Sequence, residues 1–294
     1  MSAPEPHRAT RVVTSSMIGL AMPQVERWSA RVVMVLGQNP GPFTGPGTNT
    51  CVVGSGRRRL LLDAGQGVES YDDLLGHALA QLCDGAELDR IVVTHAHPDH
   101  IDGVERVRAR HGRLPLLKMP PAAGGDHGFD VDAIGDAGVV EVEGATLEAI
   151  WTPGHARDHL CFLLREEKAL FSGDLVLGAG TAVIPPDGDL GDYLDSLRRL
   201  QSLDIERIFP AHGPVIEEPH EKIAEYLAHR ALRDEQILDG LRAGVCRTEE
   251  LVRRIYTDVP EFMHGAAGAS VEAHLCRFVK LGLVRHDGED WHLA

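Results

Sequence analysis

The 294-residue sequence has no Cys-x-x-Cys pair, no long apolar run and no excess of basic charge. Its five cysteines, Cys51, Cys83, Cys161, Cys246 and Cys276, are odd in number and scattered. They read as small buried hydrophobes in a reducing compartment and exclude a disulfide framework. No apolar stretch approaches the roughly 18 residues of a membrane-spanning helix, so no membrane partner is expected. Lys and Arg number 29 against 44 Asp and Glu, a net charge of −15. Such a surface repels phosphate backbones and counts against unaided nucleic-acid binding, although metal charge inside a cleft can reverse the local sign. A hydrophobic content of 43% with 25% charged residues is that of a globular protein with ample material for a core. Residues 1–24 carry Arg8 and Arg11 beside Glu5 without an apolar segment. They read as a flexible leader in a cytoplasmic protein; a transit peptide to the mitochondrial matrix is the alternative in a eukaryote.

What is present is histidine, and it is concentrated. Ile91-Val92-Val93 is a β-branched run that reads as a buried strand. It empties into Thr94-His95-Ala96-His97-Pro98-Asp99-His100, three histidines and an aspartate within six residues. His95 and His97, two apart at a strand end, can point to one side. Asp99 and His100 fall where a turn begins a helix, close enough to serve a second ion. Imidazole and carboxylate together suit zinc or a similar first-row metal.

The same arrangement recurs downstream. A strand through Ile150 ends at Trp151-Thr152-Pro153-Gly154-His155, Ala169–Ser172 ends at Gly173-Asp174, and Arg207–Phe209 ends at Pro210-Ala211-His212. A lone buried histidine is normally a satisfied core residue, and a lone aspartate after glycine a turn residue. Four strand ends each delivering a metal-type side chain are not explained that way. Other elements follow from periodicity: strands over Arg31–Leu36 and Leu160–Leu164, and a hairpin of Thr50–Gly54 with Arg59–Asp63 whose turn carries Arg57, Arg58 and Arg59 as a solvated tip. Helices are expected over Tyr71–Leu82, Val104–His111 and Asp192–Ser202. The Gly/Pro-rich stretch 37–50 reads as a shaped loop lining a site; no P-loop Lys-Ser/Thr follows it. Residues 124–138 are loop-like.

From His220 the texture changes. Glu221–Leu241 is a helical pattern with apolar residues between charges, Thr248-Glu249-Glu250-Leu251 reads as an N-capped helix start, and Val271–Leu281 as a third helix. A terminal hairpin turns at Asp287-Gly288. Residues 220–294 hold ten Lys/Arg against thirteen Asp/Glu, so this module is not a basic nucleic-acid surface. Walling the cleft, or packing against a partner subunit as in a homodimer, is the expected role.

His95-x-His97-x-Asp99-His100 with His155, Asp174 and His212 resembles the seven-ligand signature of the metallo-β-lactamase superfamily. The segments Asn39-Pro40-Gly41-Pro42, Gly47-Thr48-Asn49-Thr50, Thr152-Pro153-Gly154-His155, Phe171-Ser172-Gly173-Asp174 and His212-Gly213-Pro214-Val215-Ile216 look like its beta-lactamase-like protein 2 branch. The resemblance implies an α/β fold, an αββα sandwich over residues 25–219, with a C-terminal winged-helix-like α+β module over 220–294. It implies two Zn2+ ions, one on His95, His97 and His155, the other on Asp99, His100 and His212, with Asp174 bridging. The ions would lie about 3.5–4 Å apart with a nucleophilic hydroxide between them. Asp99 would also orient that nucleophile, and His159 would act as an outer group or as proton donor to the leaving group; a packed structural histidine is the alternative. The branch implies cleavage of single-stranded RNA, with hydrolysis of small acyl-thioesters or lactones as the second expectation and a non-catalytic zinc module as the third. Asp174 stands where many dedicated β-lactamases have cysteine or serine. Asp102 stands where glyoxalase II-like enzymes usually carry a small residue.

Overall fold

The computed structural model describes residues 17, 19–120, 128–257 and 259–294. The leader over residues 1–16 and residue 18, and positions 124–127 of the predicted loop, lie outside the described residues. Val32–Leu36 (β2) is apolar and buried at every position, as a strand covered on both faces must be. It lies in a seven-stranded sheet in chain order, from Val25–Arg27 (β1) through β2, Asn49–Val53 (β3), Arg58–Leu62 (β4), Glu87–Val92 (β5) and Leu116–Lys118 (β6) to Asp132–Ala133 (β7). The first four strands are antiparallel and the last four parallel. A second sheet runs Arg207–Pro210 (β12), Ala169–Gly173 (β11), Leu160–Leu164 (β10), Ala145–Trp151 (β9), Val139–Val142 (β8).

Alternation along the strands sends one set of side chains between the sheets, where Val32, Met34, Val53, Leu60 and Val92 meet Leu147, Ala149, Phe162, Phe171 and Phe209. The opposite set of the first sheet, including Val33, Val52, Leu61 and Ile91, packs under helices Glu69–His77 (α1) and Val104–His111 (α3). The outer face of the second sheet, with Ile150, Cys161, Leu170 and Ile208, packs under Leu190–Gln201 (α4) and the start of Pro219–Arg242 (α5). The layers are therefore αββα, as the resemblance implied. A further core of Ile237, Leu241, Leu251, Val271, Leu275, Phe278 and Trp291 joins the end of α5 to Thr248–Ile255 (α6), His264–Lys280 (α7) and the hairpin Val284–Asp287 (β13) with Asp290–Leu293 (β14). No described helix is long and apolar enough to cross a membrane.

Several expectations need correction. Thr248 does not cap α6: it is the first helical residue, and its hydroxyl accepts the indole N–H of Trp291 at 3.2 Å instead. The helix expected from Val271 begins at His264. Gly265 and Gly268 weaken its local signal, and burial of Ala267 and Val271 in the module core overrides that. The helix expected over Tyr71–Leu82 is α only to His77 and widens into a π-helical turn over Ala78–Leu82. The basic tip is not uniformly solvated: Arg57 and Arg58 are exposed beside Glu87 and Asp89, but Arg59 is buried and bonds the Gly56 carbonyl. Cys276 is exposed, not buried, and all five cysteines are free.

Candidate metal centre

In the second sheet, and in the parallel part of the first, the strands that matter end on the same edge of the sandwich. β5 runs out through Thr94 to His95 and His97; the four-residue helix Pro98–Ile101 (α2) follows, with proline at its first position, and carries Asp99 and His100. β9 ends before His155, β11 before Asp174 and β12 before His212. The seven residues predicted from sequence come together as two groups, His95, His97, His155 and Asp174, then Asp99, His100 and His212, each with donor atoms within 4.8 Å of one another.

In the first group, His97 Nδ1 lies 2.9 Å from both His95 Nε2 and His155 Nε2. Three ring nitrogens converging on one point cannot all be satisfied by protons shared among them, so the set fits a cation. His155 donates its Nδ1–H to the Val183 carbonyl at 2.8 Å, which leaves Nε2 as a lone-pair donor. Burial, then the neighbouring histidine His100, hold His95 well below the usual histidine range, and burial lowers His155. Both shifts favour the neutral ring, the state in which imidazole binds metal.

The second group carries charge. Asp174 turns Oδ2 toward His155 Nε2 at 3.4 Å, and Oδ1 toward His212 Nε2 at 3.2 Å and His100 Nε2 at 3.5 Å. One carboxylate thus faces both groups. Asp174 Oδ1 and His100 Nε2 are buried without a hydrogen-bond partner, an arrangement that costs free energy unless something sits between them. Burial opposes ionisation of Asp99, but His100 and His212 hold its carboxyl far below the usual range. Burial likewise opposes charging of His212, yet Asp174 and Asp99 raise it to about 9. A cation shared by this group would replace those protons.

Four supporting residues went unrecognised in the sequence. Asp63, just beyond β4, accepts the Thr94 N–H at 2.8 Å and faces His100 Nδ1 at 2.8 Å. Thr48, in the loop after β2, donates its hydroxyl to Asp99 Oδ2 at 2.8 Å, and Asn39 accepts the Thr48 N–H at 2.9 Å. Thr152 Oγ1 lies 2.9 Å from His159 Nδ1. His159 itself is fully buried, and its Nε2 accepts the backbone N–H of Asp174 at 3.1 Å. Burial, followed by His155, pushes its pKa well down. With both ring nitrogens engaged inside the fold, its geometry is that of an outer group fixing Asp174. Asp102 is exposed to solvent beside the site.

The description "Metallo-beta-lactamase superfamily" matches residues 43–212, and "Beta-lactamase associated winged helix domain" matches residues 248–291. The Beta-lactamase-like protein 2 homolog of Caenorhabditis elegans is 38% identical, over 89% of this chain and 88% of its own length. An atrochrysone carboxyl ACP thioesterase of Aspergillus chevalieri is 39% identical, over 82% of this chain and 78% of its own. A crystal structure of a metallo-beta-lactamase family protein from Thermus thermophilus superposes with a TM-score of 0.76 at 22% identity, covering 91% of this chain and all of that one.

Proposed function

The chain belongs to the metallo-beta-lactamase superfamily and is a metal-dependent hydrolase, and from that premise we propose that it holds two zinc ions and hydrolyses an acyl thioester. The two-ion reading is carried by Asp174, whose carboxylate oxygens face separate donor groups. His95, His97 and His155 would hold one ion, Asp99, His100 and His212 the other, and Asp174 both. Bound zinc supplies a Lewis acid and acidifies a water to a pKa near 7.

The chain's own residues do the rest. Thr48 and Asn39 fix Asp99, which is partly open to solvent and ionised, as the acceptor that orients the attacking water. The water oxygen bonds to the acyl carbon, the carbon–sulfur bond breaks, and a carboxylic acid and a thiol leave. Asp63 orients His100, the Val183 carbonyl orients His155, and His159 acts through the backbone of Asp174 without donating a proton to the leaving group.

The thioester reading draws on the relatives named as ACP thioesterases, 39–45% identical to this chain, and on the net charge of −15. Carrier proteins are themselves acidic, so that charge favours small acyl thioesters over carrier-bound ones. Single-stranded RNA is the second reading, favoured by the winged-helix match, although the module carries more acid than base. The test supplies the zinc-loaded protein with a small acyl thioester and, separately, with labelled single-stranded RNA, using His97→Ala as blank. Thioester turnover falling at least ~1,000-fold in the variant is the expected result. RNA cleavage lost in the variant, with thioester untouched, would replace this reading with the phosphodiester one.

A further inference from the structure

The segment between β11 and α4 begins with Asp174 and contains Val183, whose carbonyl sets the tautomer of His155. It has no regular secondary structure. Several of the side chains that hold it come from α5, a helix lying between the stretches that match the two family descriptions. Tyr226 and Arg230 stand one turn apart on its buried face. The Tyr226 hydroxyl accepts the Leu177 N–H at 3.0 Å and donates to the Gly180 carbonyl at 2.9 Å. Arg230 donates from Nη2 to the Ala182 carbonyl at 2.5 Å, and its guanidinium lies 5.2 Å from the ring centre of Tyr193. The Tyr193 hydroxyl in turn bonds the Leu175 carbonyl at 2.7 Å.

Arg230 is only 3% exposed, and among the described residues no carboxylate pairs with it. A buried cation without an acidic partner is an expensive way to pack a helix. An apolar side chain would fill the space at lower cost. A guanidinium reaches a carbonyl beyond the core and holds it at fixed direction, which an apolar side chain cannot do.

We propose that Arg230 and Tyr226 are positioning residues of the metal centre, pinning the segment that presents Asp174 and the Val183 carbonyl. The connecting helix is then a working part of the site rather than a tether for the C-terminal module. This rests on the reading of His155 and Asp174 as ligands and is independent of the substrate.

The experiment measures zinc affinity of the full-length protein by competition with a chromogenic chelator, with the cobalt(II) visible spectrum as a second readout. Arg230→Met is expected to weaken one zinc 10–100-fold, the usual effect of losing an outer partner, and to alter the cobalt bands. Arg230→Lys, which keeps a charged donor, should recover most of that affinity. Ile223→Ala removes fully buried side-chain volume from the same helix without touching a polar contact to the segment. It should lower the melting temperature and leave zinc affinity within about threefold. Should Arg230→Met fail to fold, Tyr226→Phe, which loses one hydroxyl, carries the same comparison. Equal zinc affinity in wild type and the Arg230 or Tyr226 variant overturns the proposal, as does an Ile223→Ala loss as large as theirs. A wild-type chain that takes up no zinc would overturn the two-zinc reading along with it.

Discussion

Asp63 adopts a left-handed backbone, with φ at +58°, a conformation that costs most residues free energy and Asp or Asn least. In that position its side chain reaches both Thr94 and His100. Asp63→Asn keeps the backbone tolerance and removes the charge opposite the His100 ring. It is expected to weaken the ion on His100 by about 10–100-fold, measured by chelator competition; unchanged affinity would mean that Asp63 only anchors Thr94. The seven donors were legible because histidines and acids at strand ends break an apolar pattern. Thr48, Thr152 and the Val183 carbonyl were not, since a hydroxyl or peptide group acquires a role only from what the fold brings beside it. Asp63 was within reach. It follows Leu60-Leu61-Leu62 as Asp174 follows its own apolar strand, but no metal motif surrounds it in sequence.

The elements that carry the donors are short, and each must stop at a defined residue. Gly173 shows how tight that stop is. Its φ is +50°, and a Cβ there would lie 2.5 Å from His159 Nε2 and 3.2 Å from Thr94 Cβ. Gly173→Ala should therefore displace His159 and with it the Asp174 backbone. The expected result is a loss of ~1–3 kcal/mol in stability together with lower zinc occupancy, read by calorimetry and by metal analysis. Loss of stability at full occupancy would show that His159 does not fix the ligand. Strand existence was legible from β-branched runs, but helix ends were less so. Thr248 carried a capping signature and spends its hydroxyl on Trp291, 43 residues away. The start of α7 was hidden by glycines whose cost the module core offsets.

Across the whole molecule α5 belongs to two cores. Ile223 and Tyr226 pack with the second sheet's outer layer, while Ile237 and Leu241 pack with α6 and α7. Between them lies His229, whose pKa burial, then Arg230 and Arg233, lower to about 4. An unfolded histidine titrates near 6.5. Folded and unfolded chains bind equally few protons at His229 above that value, so it has no effect on stability there. As pH falls from about 6.5 toward 4 the unfolded chain takes up the proton first, and stability is lost. His229→Gln should flatten the decline between pH 7 and pH 5 by roughly 1–2 kcal/mol, measured by denaturant unfolding. A variant whose decline matches wild type would assign the acid sensitivity to other groups.

The αββα layering was an implication of the superfamily resemblance; read alone, the sequence determined which residues could bind metal and that short apolar strands deliver most of them. It could do so because ligand chemistry and strand periodicity are local properties, written within a few positions of each other. The tertiary structure decided how closely those residues meet: four donors lie within 4.8 Å of one another in one group, three in the other, and Asp174 faces both. It also decided what holds them, since Arg230 and Ala182 or Asp63 and His100 are 48 and 37 residues apart. No local pattern carries that information. The contacts exist only after the two sheets have packed and α5 has closed over the second.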